Sequence, residues 1–362
     1  MTKVFIKGIF YSKIEYRIKK KQNFKGENMI TQKEIADKLG ISRTTVARAI
    51  NGSPLIKEET KKKVMKLIKE MNYEKNIVGS SLAIKKNKKV YCLVIKSKNE
   101  FYTQEIIRGL NEGGKEFKPY GFRLNIIETD INDPQSQLME LEKILKQEEI
   151  DGLIITPLEK EKVYEMIKPH LNRIKVVSLG IRLSSEIYHV GPDHIKQGRI
   201  AGSIMNTILR RGEKLLIIDN GDDKISSQKY MEGFVEKAKS GSAEILGPIK
   251  GGGLENSVEL IRNLAEKGEI DGIYINRYAH DIYEQVPKNL LAGKKIITNG
   301  ISKKIKKMIK SGIITATVME EISTEGYTSA KKMFELLYKG IVETGNWEIS
   351  KSHIIFQENL ND

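Results

Sequence analysis

Arg43, Thr44 and Arg48 have the types and spacing suited to reading the edges of base pairs. An arginine guanidinium can pair bidentately with guanine, a contact worth roughly 1–3 kcal/mol of discrimination. That chemistry needs the three side chains outward at the N-terminal end of a helix that enters a major groove. The stretch TQKEIADKLGISRTTVARAIN, residues 31–51, provides such a helix. Thr31 and Glu34 have capping-box spacing, which predicts a first helix to Leu39. Gly40 supplies the reversal, and Ser42 caps a second helix running to about Asn51. Ile35, Ala36, Leu39, Ile41, Val46 and Ile50 are the apolar set that two crossed helices would bury together. This is a helix-turn-helix pattern. Its bland rival is any small helical hairpin whose outer face carries arginine.

The continuation bears on that choice. TQKEIADKLGISRTTVARAINGSPLIKEETKKKVMKLIKEMNYEKNIVGSSLA resembles the DNA-binding headpiece and hinge of the lactose-repressor family of bacterial regulators. Val64, Leu67, Ile68 and Met71 recur at helical spacing and predict a third helix packed on the first two. The resemblance implies DNA contacts at Thr31, Ser42, Arg43, Thr44, Thr45, Arg48 and Asn51, with Ser42, Thr45 and Asn51 on phosphates and Arg43, Thr44 and Arg48 on bases. It implies further contacts at Tyr73, Asn76, Leu82 and Ala83 in a hinge that becomes helical on operator DNA. There Leu82 holds the position of the leucine that wedges into the minor groove, a device that unstacks a base step and bends the duplex. The chain departs from the family pattern in three places. Lys57 stands where a serine cap is usual, with Glu58 and Glu59 as partial compensation in the first turn. Lys75 replaces a proline, and Gly79 replaces an alanine at about 1 kcal/mol of helix propensity.

Charge is distributed as this division of labour requires. Residues 1–89 carry 23 Lys and Arg against 8 Asp and Glu, a net +15; the remainder, with 39 of each sign, is formally neutral. All of the excess positive charge thus lies on the segment that would meet phosphates. A solvated lysine-rich face would not explain why the rest balances to zero. Length (362 residues) exceeds one ordinary domain, and 39% hydrophobic with 30% charged residues describes a globular chain. No apolar run approaches the roughly 20 residues of a membrane span. The single cysteine, Cys92, excludes an intramolecular disulfide and fits a reducing cytoplasm. Residues 1–28 fit neither a secretion signal nor the headpiece. The expectation is that translation starts at Met29, the alternative being a disordered basic arm. Expected domains are therefore a headpiece at 29–74, a hinge at 75–89 and an effector and dimerisation domain at 90–362.

From residue 90 strands and helices alternate. VYCLVI (90–95), FRLNII (122–127), DGLIIT (151–156) and KVVSL (175–179) read as buried parallel strands, followed by a second series: KLLIID (214–219), AEILG (243–247), DGIYIN (271–276) and KIIT (295–298). IDGLIIT and IDGIYIN look like one element repeated in two related halves. The prediction is an α/β effector domain of two doubly wound parallel-sheet lobes, with ligand between them at the carboxyl ends of the strands. This part resembles the family's periplasmic-binding-protein-like domain. The resemblance implies three crossings between lobes, near 189–193, 317–321 and 344–349.

Strand-end residues that could hold a ligand are Phe101, Tyr102, Asp130, Thr156, Asp193, Tyr230, Asn276, Asn299 and Glu320. Aromatic rings stack on apolar sugar faces, while carboxylates and amides serve hydroxyls. Duller roles compete: Phe101 and Tyr102 as core, Asp130 as a turn residue, Asp193 as structural. Asp133, before Pro134, reads as a helix cap. The family commonly has arginine where this chain has Tyr230, aspartate where it has Asn299 and glutamine where it has Glu320. Tyrosine keeps one donor but loses the fork and the charge, which Arg182 or Arg277 would have to replace. The sequence has no nucleophile elbow, Walker loop or metal-ligand cluster, and the five histidines read as solvated surface residues. The expectation is a cytoplasmic, homodimeric, ligand-controlled transcription regulator, most simply a repressor, that needs no cofactor. Its partners are double-stranded operator DNA and a small polar effector of sugar type. The rival is a ligand receptor without DNA function.

Overall fold

Thr31 and Glu34 open the first helix by closing a capping box. The Glu34 amide donates to Thr31 Oγ1 at 3.2 Å and the Thr31 amide to Glu34 Oε2 at 2.6 Å. The computed structural model describes residues 30–50, 53, 55–71, 73, 87–97, 99–219, 224–276, 279–339 and 347–360. It divides into two compact units, Met1–Ala83 and Ile84–Asp362. In the first, α1 (Gln32–Leu39) ends at Gly40, whose φ of 62° lets the chain turn so that the Ile41 amide reaches the Ala36 carbonyl at 3.0 Å. Ser42 then accepts from the Thr45 amide at 3.0 Å and starts α2 (Arg43–Ile50). The third helix, α3 (Glu58–Glu70), begins at Lys57 without a side-chain cap, and Glu58 and Glu59 occupy its first turn. Ile35, Ala36, Val46, Ala49 and Val64 form the core, with Leu67, Ile68 and Met71 packed around it.

The second unit is built on two six-stranded sheets. The first holds β1 (Lys88–Lys96), β2 (Phe122–Asp130), β3 (Gly152–Ile155), β4 (Lys175–Leu179), β5 (Tyr188–Gly191) and β11 (Trp347–Ile349), in the order β11-β5-β4-β3-β1-β2. The second holds β6 (Lys214–Asp219), β7 (Glu244–Lys250), β8 (Gly272–Ile275), β9 (Lys295–Asn299), β10 (Ala316–Glu320) and β12 (Ser352–Ile355), in the order β12-β10-β9-β8-β6-β7. Every pairing is parallel except that of β12 with β10. The central strands β3 and β8 are buried on both faces, as the repeated IDG segments predict.

Helices α4 (Glu100–Phe117), α5 (Pro134–Leu145) and α6 (Lys160–Ile167) follow the strands of the first lobe. In the second lobe come α7 (His194–Ile208), α8 (Ile225–Ala238), α9 (Leu254–Glu266), α10 (Ala279–Gln285), α11 (Lys288–Leu291) and α12 (Lys303–Lys310). The last helix, α13 (Ile322–Tyr338), follows a second-lobe strand yet packs on α4 of the first lobe. Glycines permit that contact: a Cβ on Gly109 would strike the Ser323 carbonyl, and one on Gly326 the Ile106 carbonyl. The second lobe repeats the arrangement between α7 and α8, with Gly198 against the Tyr230 carbonyl and Gly233 against that of Ile195. Three crossings join the lobes: β5 to α7, β10 to α13, and β11 to β12. The third lies between Ile349 and Ser352, because β11 adds to the first sheet before the chain passes to the second. That is a little later than the expected 344–349.

Candidate functional site

On α2, Val46 and Ala49 face the core, and Ser42, Arg43, Thr44 and Arg48 are exposed. No acidic side chain lies in the helix's first turn, so its partial positive end is not neutralised locally. Thr45 is half-buried, and its hydroxyl lies 2.8 Å from Ser42 Oγ. Thr31, also exposed, is already the cap of α1. Tyr73 is half-buried; burial pushes its phenol up, opposed by a hydrogen bond from Gln32 and by the charge of Arg43. The expected contacts at Asn51, Asn76, Leu82 and Ala83, most of the hinge, and residues 1–29 lie outside the described residues.

Within the second unit the carboxyl ends of both sheets converge on a cavity of about 660 Å³, the size of a small-ligand site. Six of the nine expected ligand residues line it: Tyr102, Thr156, Tyr230, Asn276, Asn299 and Glu320. The others do not. Asp130 is consumed by a turn, accepting from the Asn132 amide at 2.7 Å. Asp193 caps α7, accepting from the Lys196 amide at 2.9 Å. Phe101 turns its ring to the Lys306 ammonium, 5.6 Å from the centroid. Asp133 caps α5, as read from Pro134. Arg182 stacks on Trp347 at 5.0 Å and is not on the cavity wall, while Arg277 is not among the described residues.

The wall of the second lobe is made by neighbouring strand ends. Residues of β10 and β9 stand in register as Val318 with Asn299, and those of β8 and β9 as Ile275 with Thr298. Asn276, Asn299 and Glu320 therefore follow one another along one edge. Asn276 Nδ2 donates to the Ser227 carbonyl at 3.0 Å, which fixes the amide; its Oδ1, buried, has no partner among the described residues. Asn299 is more fully occupied, accepting from Tyr274 at 2.6 Å and donating to the Val318 carbonyl at 3.4 Å. Glu320 is 7% exposed and accepts from Gln197 Nε2 at 3.2 Å. Burial raises its carboxyl above the ordinary range. Glu325, on the first turn of α13, is raised further by burial and by Glu320, against a smaller opposing pull from Ser350. Tyr230 is half-buried, its phenol pushed well up by desolvation and then by Glu320 and Glu325, with the His194 ring edge-on at 5.0 Å.

Several wall residues escaped the sequence reading. Asn99 and Lys224 reach across the cleft: Asn99 Nδ2 donates to the Ile301 carbonyl at 2.7 Å and Lys224 Nζ to that of Ile131 at 3.2 Å. The histidines correct an expectation. His194 and His280 line the cavity, and His189 is buried in β5 on the Ser178 carbonyl. Burial pushes His189 and His194 down to about 4 and lowers His280, so all three are neutral at pH 7. Their placement just after or within strand ends was a usable signal; their scatter along the chain hid it.

Comparison with known proteins covers both units. A family model described as bacterial regulatory proteins, lacI family, matches residues 31–76, and one described as periplasmic binding protein domain matches residues 90–340. Catabolite control protein A of Staphylococcus aureus (strain N315) is 26% identical over 243 residues, covering 67% of this chain and 71% of that protein. The HTH-type transcriptional regulator RegA of Clostridium saccharobutylicum is 31% identical over 136 residues, 37% of this chain and 39% of its own length. Among solved structures, the glucose-galactose binding protein GanP of Geobacillus stearothermophilus superposes with a TM-score of 0.63 at 18% identity, covering 76% of this chain and 99% of that one. That degree of likeness establishes the shared fold.

Proposed function

Because the chain belongs to the lacI family of bacterial regulatory proteins, we infer that it is a sugar-responsive, sequence-specific DNA-binding regulator acting as a cytoplasmic repressor. Proteins of this family are transcription regulators rather than enzymes. One observation carries the reading: a headpiece with Arg43, Thr44 and Arg48 exposed at the start of α2 shares a chain with a two-lobed, cavity-bearing unit. Arg43, Thr44 and Arg48 contact bases; Thr31, Ser42, Thr45, Asn51 and Tyr73 position the headpiece on phosphates. Asn76, Leu82 and Ala83 belong to a hinge at 75–89 that engages the minor groove. Two copies read adjacent half-sites, as the two-fold symmetry of a homodimer demands. The effector occupies the cavity against Tyr102, Thr156, Tyr230, Asn276, Asn299 and Glu320. By favouring one arrangement of the lobes it shifts the population competent to hold DNA, by no more than its differential affinity for the two states.

The test is binding of the full chain to genomic fragments against random competitor. A specific fragment should be retained, with an affinity that falls steeply as salt rises. The double variant Arg43→Ala plus Arg48→Ala should lose about 2–6 kcal/mol of that preference. Equal binding to all fragments, or specificity unchanged in the double variant, would end the reading.

A further inference from the structure

The cavity is unevenly furnished. Besides the phenols of Tyr102 and Tyr230, its ionisable wall residues among those described are His194, Lys224, His280, Asp281, Lys304 and Glu320. Burial holds the two histidines neutral. Lys304 is matched by Asp281 at 3.2 Å and Glu284 at 2.6 Å, while Lys224 is bonded to the Ile131 carbonyl on the opposite lobe. No arginine lines the cavity among the described residues. Glu320, by contrast, is buried with an amide donor from Gln197 and, among the described residues, no ion-pair partner. Along the same row of strand ends, the 3%-exposed Asn276 holds an acceptor oxygen with no partner among the described residues. A buried acceptor left unmatched costs free energy, and a buried carboxylate without a counter-charge costs more. What these two groups lack, among the described residues, is a positively charged donor of their own.

A primary ammonium meets both needs, carrying three donors and a full charge in a compact head. A hydroxyl brings one donor and no charge. A carboxylate or phosphate placed there would meet Glu320 as a like charge. Resting on the sugar-responsive reading above, we propose that the effector is a polyhydroxylated amine of the amino-sugar class, its ammonium seated between Glu320 and Asn276 Oδ1. The ammonium supplies the counter-charge that favours the ionised form of Glu320, the form that burial disfavours. Tyr230 and Tyr102 then close on the sugar ring rather than on the charge.

The experiment is calorimetric titration of the full-length protein with matched pairs: glucose and glucosamine, galactose and galactosamine, mannose and mannosamine. At least one amine should bind about tenfold or more tightly than its hydroxyl partner. Glu320→Gln should abolish that difference, the amine and its hydroxyl partner then binding alike whatever the variant's absolute affinity, and Glu325→Gln, off the cavity wall, should preserve it. Hydroxyl partners binding as well as the amines, or a preference that survives in Glu320→Gln, overturns the proposal and leaves the sugar reading standing. If neither member of any pair binds, the proposal and the sugar reading fall together.

Discussion

His189 lies 2% exposed in β5, its Nδ1 3.1 Å from the Ser178 carbonyl and its ring 5.8 Å from that of Trp347. Desolvation first, then the charges of Arg182 and Lys229, push it down to about 4, against a backbone hydrogen bond that favours the ion. The unfolded chain takes up the proton near pH 6.5, so stability is complete above that pH and is lost as pH falls toward about 4. The loss is at most about 3 kcal/mol. Half-buried His194 adds in the same direction, while Glu320 and Glu325, whose carboxyls burial raises, contribute the opposite dependence and lose stability as pH rises above the ordinary carboxylate range. His189→Gln should therefore flatten the fall between pH 6.5 and 4.5 without changing its position elsewhere. Urea midpoints of both proteins across that range measure the difference; parallel curves would show that His189 ionises freely in the native state.

Elements differ in how much of them a sequence displays. The capping box of α1 and the cap of α5 were legible, because cap and partner lie within three residues of each other. The central strands were legible because burial on both faces demands an unbroken apolar run. A terminal strand around His353 was legible as β12, but the edge strand β11 was not, since an exposed segment of three residues carries no such run. The cavity showed the same limit. Strand-end residues were found, yet Asn99, Lys224 and His194 were missed because their partners lie on the other lobe or a different element. Helix pairing was equally hidden: nothing local marks Gly198 and Gly233 as the place where α7 and α8 approach by backbone. Gly233→Leu should force those helices apart and destabilise the second lobe by about 1–3 kcal/mol or more. The first lobe, which uses Gly109 and Gly326 instead, should keep its own transition. Thermal unfolding that splits into two steps would show this, whereas a wild-type profile would mean the α7–α8 contact is loose.

At the scale of the whole second unit, the lobes are held together across the cavity by contacts that need no ligand. Asn99 Nδ2 on the Ile301 carbonyl and Lys224 Nζ on the Ile131 carbonyl both join the first lobe to the second. A third link, Lys306 over Phe101, closes the same side. Each is a polar contact of modest net worth, about 0.5–1.5 kcal/mol, more where an ammonium donates. Together they set the fraction of molecules closed before an effector arrives. A ligand that binds the closed form feels that fraction directly, since its apparent affinity is the intrinsic one multiplied by the competent population. Removing Asn99's amide leaves the folded lobes and the Glu320 row untouched and shifts only the balance between open and closed. Asn99→Ala should thus weaken effector binding by about two- to tenfold with an unchanged urea midpoint. The radius of gyration of the ligand-free protein should rise and return to the wild-type value at saturation. Should affinity fall while scattering stays the same in both states, Asn99 acts on the ligand itself, and the lobes close by other means.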